Sequence, residues 1–149
     1  MITAEAVRAC RDRAGLRSVR VELEAPEPLV VNGDRDRLRE VLDNLLDNAL
    51  RYAPEGSAVE ASAYHDGKAA LITVRDHGPG IPPAEQGHIF DRFYRSDLSR
   101  SRKAGGAGLG LPIAKAIVEG HHGEICVDSR PPNGTRFTVR LPLASCSED

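Results

Sequence analysis

Asn44, Asn48 and Arg51 recur at i, i+4 and i+7 within one long amphipathic stretch, so they share a helix flank beside its apolar stripe. Alone, they read as polar residues on a solvated surface. Two mid-helix asparagines cost stability relative to better helix formers, however. An amide oxygen is also a neutral, hard ligand suited to Mg2+, an ion that keeps its waters and takes few protein ligands. A second group, Asp76-His77-Gly78-Pro79-Gly80-Ile81, follows an alternating apolar run. Its plain reading is a turn. A carboxylate at a strand end can also accept from an exocyclic amine such as that of adenine. Gly78 and Gly80 would let a flat ring approach the backbone. The third group is Gly105-Gly106-Ala107-Gly108-Leu109-Gly110-Leu111, with Pro112 in the first turn of the next helix. It is either a flexible linker or an anion site made of glycine amides and a helix N-terminus. It matches neither the P-loop nor the dinucleotide fingerprint. Ahead of it lie Arg95, Arg100, Arg102 and Lys103, opposed only by Asp97. They form a solvated charged loop, or a lid whose cations meet phosphate oxygens.

The elements that must position these groups follow from periodicity. Ile2, Ala6, Val7, Cys10 and Ala14 predict a helix over about Met1 to Leu16. Val19 to Leu23 alternates as a strand, and Leu29-Val30-Val31 predicts a short second one. Asn32-Gly33-Asp34 supplies turn chemistry and an N-cap for a helix over about Arg35 to Ala53, whose inner stripe is Leu38, Val41, Leu42, Leu45, Leu46 and Ala49. Strands are predicted at Ala58 to Tyr64 and Ala69 to Arg75, joined by His65-Asp66-Gly67. Asp76 to Gln86 and Ser96 to Gly106 read as loops. A helix over about Leu109 to Gly120 turns Ile113, Ile117 and Val118 inward. Strands at Glu124 to Asp128 and Arg136 to Leu141 flank Pro131-Pro132-Asn133-Gly134, and Ala144 to Asp149 frays. Helices on one face of a mostly antiparallel sheet make an α+β two-layer sandwich.

The 149 residues suit one domain, with a core at about 19–142. A composition of 40% hydrophobic and 28% charged residues fits a globular fold with a real core. The net charge of −2 excludes a strongly basic nucleic-acid binder on bulk charge, and the absence of Trp, with three Tyr and three Phe, argues against a base-stacking platform. No apolar run is long enough to span a bilayer, and the N-terminus is not a signal peptide. Cys10, Cys126 and Cys146 are few, odd in number and widely spaced, which fits a reducing, cytoplasmic setting.

In order along the chain, five segments resemble the N, G1, F, G2 and G3 boxes of sensor histidine kinases. They are Asn44-Leu45-Leu46-Asp47-Asn48-Ala49, Asp76-His77-Gly78-Pro79-Gly80-Ile81, Ile89-Phe90-Asp91-Arg92-Phe93-Tyr94-Arg95, Gly106-Ala107-Gly108-Leu109-Gly110-Leu111 and Gly134-Thr135. The resemblance covers about Asp34 to Leu141. It implies the Bergerat ATP-binding fold shared with gyrase, Hsp90 and MutL, with ATP and Mg2+ as cofactors. By this resemblance Asn48 holds Mg2+, Asn44 lies beside the metal and phosphates, and Arg51 reaches the phosphates. Tyr52 lines the pocket, and Asp76 accepts the adenine amine between Gly78 and Gly80. Gly106, Gly108 and Gly110 hinge the lid and bind phosphate near Leu109, and Thr135 lies near the adenine. Ile81, Phe90, Arg95 and Leu111 complete the set, with Phe90 and Phe93 anchoring the lid's start.

Hydrolysing members of that superfamily, and the anti-sigma serine kinases, use a Glu as general base one turn before the metal asparagine. Asn44 stands there in this chain, and an amide cannot take a proton at neutral pH. A neutral imidazole already offers a lone pair, which favours transfer to histidine over hydrolysis. His65, His77, His88, His121 and His122 all lack the phosphoacceptor context and read as structural. The chain therefore resembles a catalytic domain without its helical-hairpin phosphoacceptor and dimerisation domain, either a piece of a longer protein or the product of a split gene. The implied partners are that hairpin, carrying the substrate histidine, and a downstream response regulator. The domain itself is expected to be a cytoplasmic monomer, its parent anchored in the inner membrane or not. Two other readings stay open, a nucleotide-binding regulatory module without catalysis and a serine kinase or ATPase of the anti-sigma type.

Overall fold

The structure, a computed structural model, describes residues 2–16, 18–25, 31, 33–91, 110–130 and 133–143. Its elements are α1 (Ile2–Leu16), β1 (Arg20–Glu24), α2 (Arg35–Tyr52), β2 (Ala58–His65), β3 (Ala69–Asp76), α3 (Pro83–Gln86), α4 (Gly110–Gly120), β4 (Glu124–Ser129) and β5 (Thr135–Pro142). Helix α2 starts where Asp34 accepts from the backbone N–H groups of Asp36 and Arg37, satisfying donors that a helix N-terminus leaves open. It ends at Ala53, one residue before Pro54. The predicted stripe is buried along its whole length, extended by Leu50.

The strands form one sheet in the order β1-β2-β3-β5-β4, parallel between β1 and β2 and antiparallel elsewhere. Register places Val21, Val59, Ala61, Val74, Phe137 and Val127 on one face, with Ala63, Ile72, Val139 and Ile125 in the next row. These side chains join Ala6, Val7 and Cys10 of α1, the α2 stripe, and Ala114 and Val118 of α4 in a single core. The expected α+β two-layer sandwich is therefore the observed one. The other face carries the charged row Glu22, Glu60, Arg75, Arg136 and Asp128, as solvent on that side requires.

Three local expectations change. Ile113 is 37% exposed, and Ala114 and Val118 take the innermost positions of α4, with Ile117 packed partly against the core. Asp76 closes β3 rather than opening a loop, because it pairs with Thr135 of β5, and Pro83–Gln86 forms a one-turn helix within the predicted loop. Pro at its first position lacks an N–H that would be unsatisfied there anyway. Val31 is not in a strand, and the rest of the strand predicted at Leu29-Val30-Val31 lies outside the described residues, as do Asn32, the loop from Ser96 to Gly106 and the tail. No helix among the described residues is long and apolar enough to cross a membrane.

Helices α2 and α4 are joined at two points. Asn44 Nδ2 donates to the Gly110 carbonyl at 3.1 Å. Beyond the end of α4, His121 Nε2 accepts from the Asp34 N–H at 3.0 Å while its Nδ1 lies 2.8 Å from the Ile117 carbonyl. A carbonyl can only accept, so Nδ1 carries the proton and the ring is neutral. Gly33 makes this approach possible, since a Cβ there would overlap the imidazole. His121→Ala should lower stability by about 1 kcal/mol, read as a fall in Tm of about 2–4 °C.

Candidate functional site

The site is assembled where the C-terminal half of α2 meets the end of β3. Asn44, Asn48, Arg51 and Tyr52 are all half-buried, flanking the buried stripe as their spacing requires. Asn44 gives its amide donor to Gly110, which fixes the start of α4 against α2. The Asn48 amide makes no hydrogen bond among the described residues. The hydrogen-bonding capacity of this half-buried amide is therefore open to solvent or to a ligand.

Asp76 lies at the other end. It is 3% exposed, and the only hydrogen bond to its side chain among the described residues comes from the Gly78 N–H, at 2.8 Å to Oδ1. Burial pushes its carboxyl up to about 6, against the opposing pull of the Gly78 hydrogen bond and of His77 and Arg75. Buried carboxylates with one unpartnered oxygen are costly, and such groups gather at functional sites.

Two glycines hold the backbone tightly around this carboxylate. A Cβ on Gly78 would overlap the Tyr52 carbonyl and stand 2.9 Å from Asp76 Oδ1. Gly134 has φ +94°, and a Cβ there would overlap the Asp76 carbonyl and lie 3.1 Å from the His77 Cα. Thr135, 5% exposed, is the direct cross-strand partner of Asp76. Paired residues share a face with Cβ atoms about 5 Å apart, so the hydroxyl and the carboxylate are neighbours.

Two residues missing from the sequence-level set complete this corner. Ser129, at the end of β4 and 8% exposed, accepts from the Ile81 N–H at 2.7 Å and contacts Thr135 Oγ1 at 3.0 Å. Gln86 of α3 donates from Nε2 to the carbonyls of Ile81, at 2.8 Å, and Ser129, at 3.0 Å. Both ends of the Ile81 residue are thus held, which fixes the strand-to-loop path after Gly80. Nothing in the sequence around Ser129 marks it, because its partners are distant in the chain.

The half-buried Phe90 packs edge-on to Phe137 with ring centroids 6.1 Å apart, and Lys115 Nζ stands 5.9 Å from its ring centre. Phe90 is thereby packed against β5 and α4. Gly110 is exposed, and Leu111 is half-buried and packed against the core. Arg95, Gly106, Gly108 and Leu109, like Phe93, Arg100, Arg102 and Lys103, lie outside the described residues.

Three of the other four histidines have local partners for their side chains. His77 Nε2 meets Glu60 at 3.1 Å, His88 Nδ1 meets Asp91 at 3.0 Å, and His65 Nδ1 accepts from the Gly67 N–H. Among the described residues no three His, Cys, Asp or Glu side chains converge on a metal position.

A sequence profile of the "histidine kinase-, DNA gyrase B-, and HSP90-like ATPase" family matches residues 33–145, which contain every element of this site. The chain belongs to that family.

Among its relatives is the signal transduction histidine-protein kinase BaeS of Escherichia coli (strain K12). It is 41% identical over 135 residues, covering 91% of this chain and 29% of BaeS. The mycobacterial sensor histidine kinase MprB has a solved structure that superposes with a TM-score of 0.85 at 34% identity, covering 95% of this chain and 93% of that one. Full-length ShkA in complex with AMPPNP, a non-hydrolysable ATP analogue, gives a TM-score of 0.85 at 27% identity, covering 99% of this chain and 30% of ShkA. The sandwich is therefore the Bergerat fold, and this histidine-kinase-type chain is an ATP-binding catalytic domain. It spans less than a third of BaeS and of ShkA.

Proposed function

We propose that this domain binds Mg2+–ATP between α2 and the end of β3 and donates the γ-phosphoryl group to a histidine on a helical-hairpin phosphoacceptor domain, in two-component signalling. The observation that carries this reading is the buried Asp76 carboxylate, with one oxygen left over beside Thr135 and the backbone packed closely around it at Gly78 and Gly134. That corner suits a flat base with an exocyclic amine. Asn48 suits the metal, since its neutral amide oxygen has no competing hydrogen bond among the described residues.

Mg2+–ATP, when bound, supplies the phosphoryl donor and neutralises charge on its own phosphates. The protein's part is positioning. Asp76 orients the base, Asn48 the metal, and Arg51 supplies a cation on the same helix flank. Asn44 ties that flank to α4 and offers no basic group, so nothing at its position can deprotonate a water or an alcohol. A neutral histidine needs no such help. The acceptor hairpin belongs to the parent protein or to a separate chain, and a response regulator takes the phosphoryl group onward. The domain acts as a monomer that meets the hairpin transiently.

The test is incubation with γ-labelled ATP, alone and with an isolated hairpin domain of a related kinase. The expected result is no label on this chain alone, and acid-labile label on the hairpin histidine when both are present. Label on this chain by itself, or steady ATP turnover without a partner, would replace the proposal with the serine kinase or ATPase reading. ATP binding with no transfer to any hairpin would leave a regulatory module.

A further inference from the structure

On the charged face of the sheet, positive charge is left over. Arg75 of β3 and Arg136 of β5 are direct cross-strand partners there, and like charges so placed are destabilising. Asp128, the partner of Arg136 in β4, answers only part of this charge. Its Oδ2 accepts from Arg136 Nη2 at 3.4 Å, and its Oδ1 lies 3.7 Å from Arg130 Nε. Glu60, the partner of Arg75 in β2, is turned to His77 Nε2 at 3.1 Å. The Arg75 guanidinium therefore has no hydrogen bond or ion pair among the described residues, and the side-chain amide of Asn133 has no hydrogen bond among them. Arg75, Asp128, Arg130, Asn133 and Arg136 line one open hollow of about 330 Å3, with Gly134 and Thr135 completing its wall. Asp76 takes no part in it, since successive residues of a strand point to opposite faces, and neither Gly78 nor Asn48 reaches it.

We infer that this hollow is an anion site of its own, apart from the nucleotide corner, and that its ligand is a phosphate-class dianion, free or carried as a small monoester. The Cβ atoms of Arg75 and Arg136 stand about 5 Å apart, so two guanidinium forks can close on one group between them. A tetrahedral oxyanion offers three oxygens, enough to accept from both forks and from the Asn133 amide. A single carboxylate has two oxygens and one charge, and would satisfy one fork only. Charge agrees as well. Three arginines against Asp128 leave the hollow a balance of +2, and a phosphate monoester carries close to two negative charges at neutral pH. Asp128 serves here to hold Arg136 and Arg130 in place. The volume lies at the low end of small-molecule pockets, about 300–1,000 Å3, which leaves room for a small organic group on the phosphate. The site stands whether or not the Asp76 corner takes adenine.

The experiment is NMR titration of the full chain with inorganic phosphate, glycerol 3-phosphate and succinate, at neutral pH and constant ionic strength. Saturable shifts are expected at the Arg75 and Arg136 guanidinium signals and at the Asn133 side chain, with a Kd of about 1 mM for the better phosphate. Succinate, a dianion of the wrong shape, should bind at least about tenfold more weakly. Arg75→Gln should weaken phosphate binding at least about tenfold. Its side chain is exposed and without a described partner, so the fold is not at stake. Arg8→Gln removes the same charge from α1, in the other layer of the sandwich, and should change the affinity by less than about twofold, because distant surface charges are screened. Tighter binding of the ester makes the ester the ligand, and equal affinity makes it the free ion; both support the site. Titration without saturation, succinate binding as tightly as phosphate, or Arg8→Gln losing as much affinity as Arg75→Gln would overturn the inference. Displacement of bound phosphate by adenosine, which carries no phosphate, would merge the hollow with the nucleotide corner and overturn it too.

Discussion

Asp76→Asn should strip the domain of adenine-nucleotide binding while making the nucleotide-free fold more stable. The carboxylate is 3% exposed, its carboxyl is raised from 3.8 to about 6 by burial, and one of its oxygens has no hydrogen bond among the described residues. Because the folded value lies above the unfolded one, the stabilising contribution is full below about pH 3.8. It is lost as pH rises through about 6. At neutral pH the ionised group costs up to about 3 kcal/mol, taking about 1.4 kcal/mol for each pH unit between the two values. The neutral amide keeps the bond from Gly78 without that penalty. Thermal unfolding of wild type and variant should therefore nearly coincide at pH 4 and diverge above pH 6, with the variant higher. Over the same substitution ADP affinity should fall about 100-fold, since a charge-assisted acceptor is replaced by a donor facing an amine. A variant less stable than wild type at pH 7.5 would mean that Asp76 is a structural acceptor whose burial is already compensated.

Asn48→Ala should do the converse, leaving the fold untouched and removing the metal's contribution. The side chain makes no hydrogen bond among the described residues, so truncation orphans no protein partner there. Ala is also the better helix former by about 0.5 kcal/mol. Unfolding should be unchanged or slightly later. ATP affinity with Mg2+ should drop at least about tenfold, because the ion takes few protein ligands and loses one. ATP affinity in the presence of a chelator should hardly move. The check is titration with a non-hydrolysable ATP analogue with and without Mg2+. An equal loss in both would place Asn48 against the nucleotide rather than the metal.

Residues that act through local spacing were readable from the chain. Asn44, Asn48 and Arg51 share a flank because a helix repeats every 3.6 residues, and the buried stripe beside them fixes which way that flank turns. Asp76 was recognisable by its place before Gly78 and Gly80. Its pairing with Thr135 in β5 was not, and that pairing is what makes it the last residue of a strand. Helix α4 shows the limit of pattern reading. Its apolar residues are abundant enough that periodicity admits Ile113 as an inner position, and only the tertiary packing gives that place to Ala114.

The α+β class, the two site-bearing helices, the order of the five boxes and the family they resemble are legible in the chain, because each depends on residues within a few positions of one another. The tertiary structure decided what closes the site. Ser129 meets Ile81 across 48 positions, Gln86 meets the Ser129 carbonyl across 43, and His121 caps Asp34 across 87. No local pattern encodes such contacts. The two contacts of Ser129 form at the corner where β5 brings Gly134 and Thr135 against Asp76, whose burial leaves one carboxylate oxygen without a protein partner among the described residues; the His121 contact forms where the end of α4 meets the start of α2.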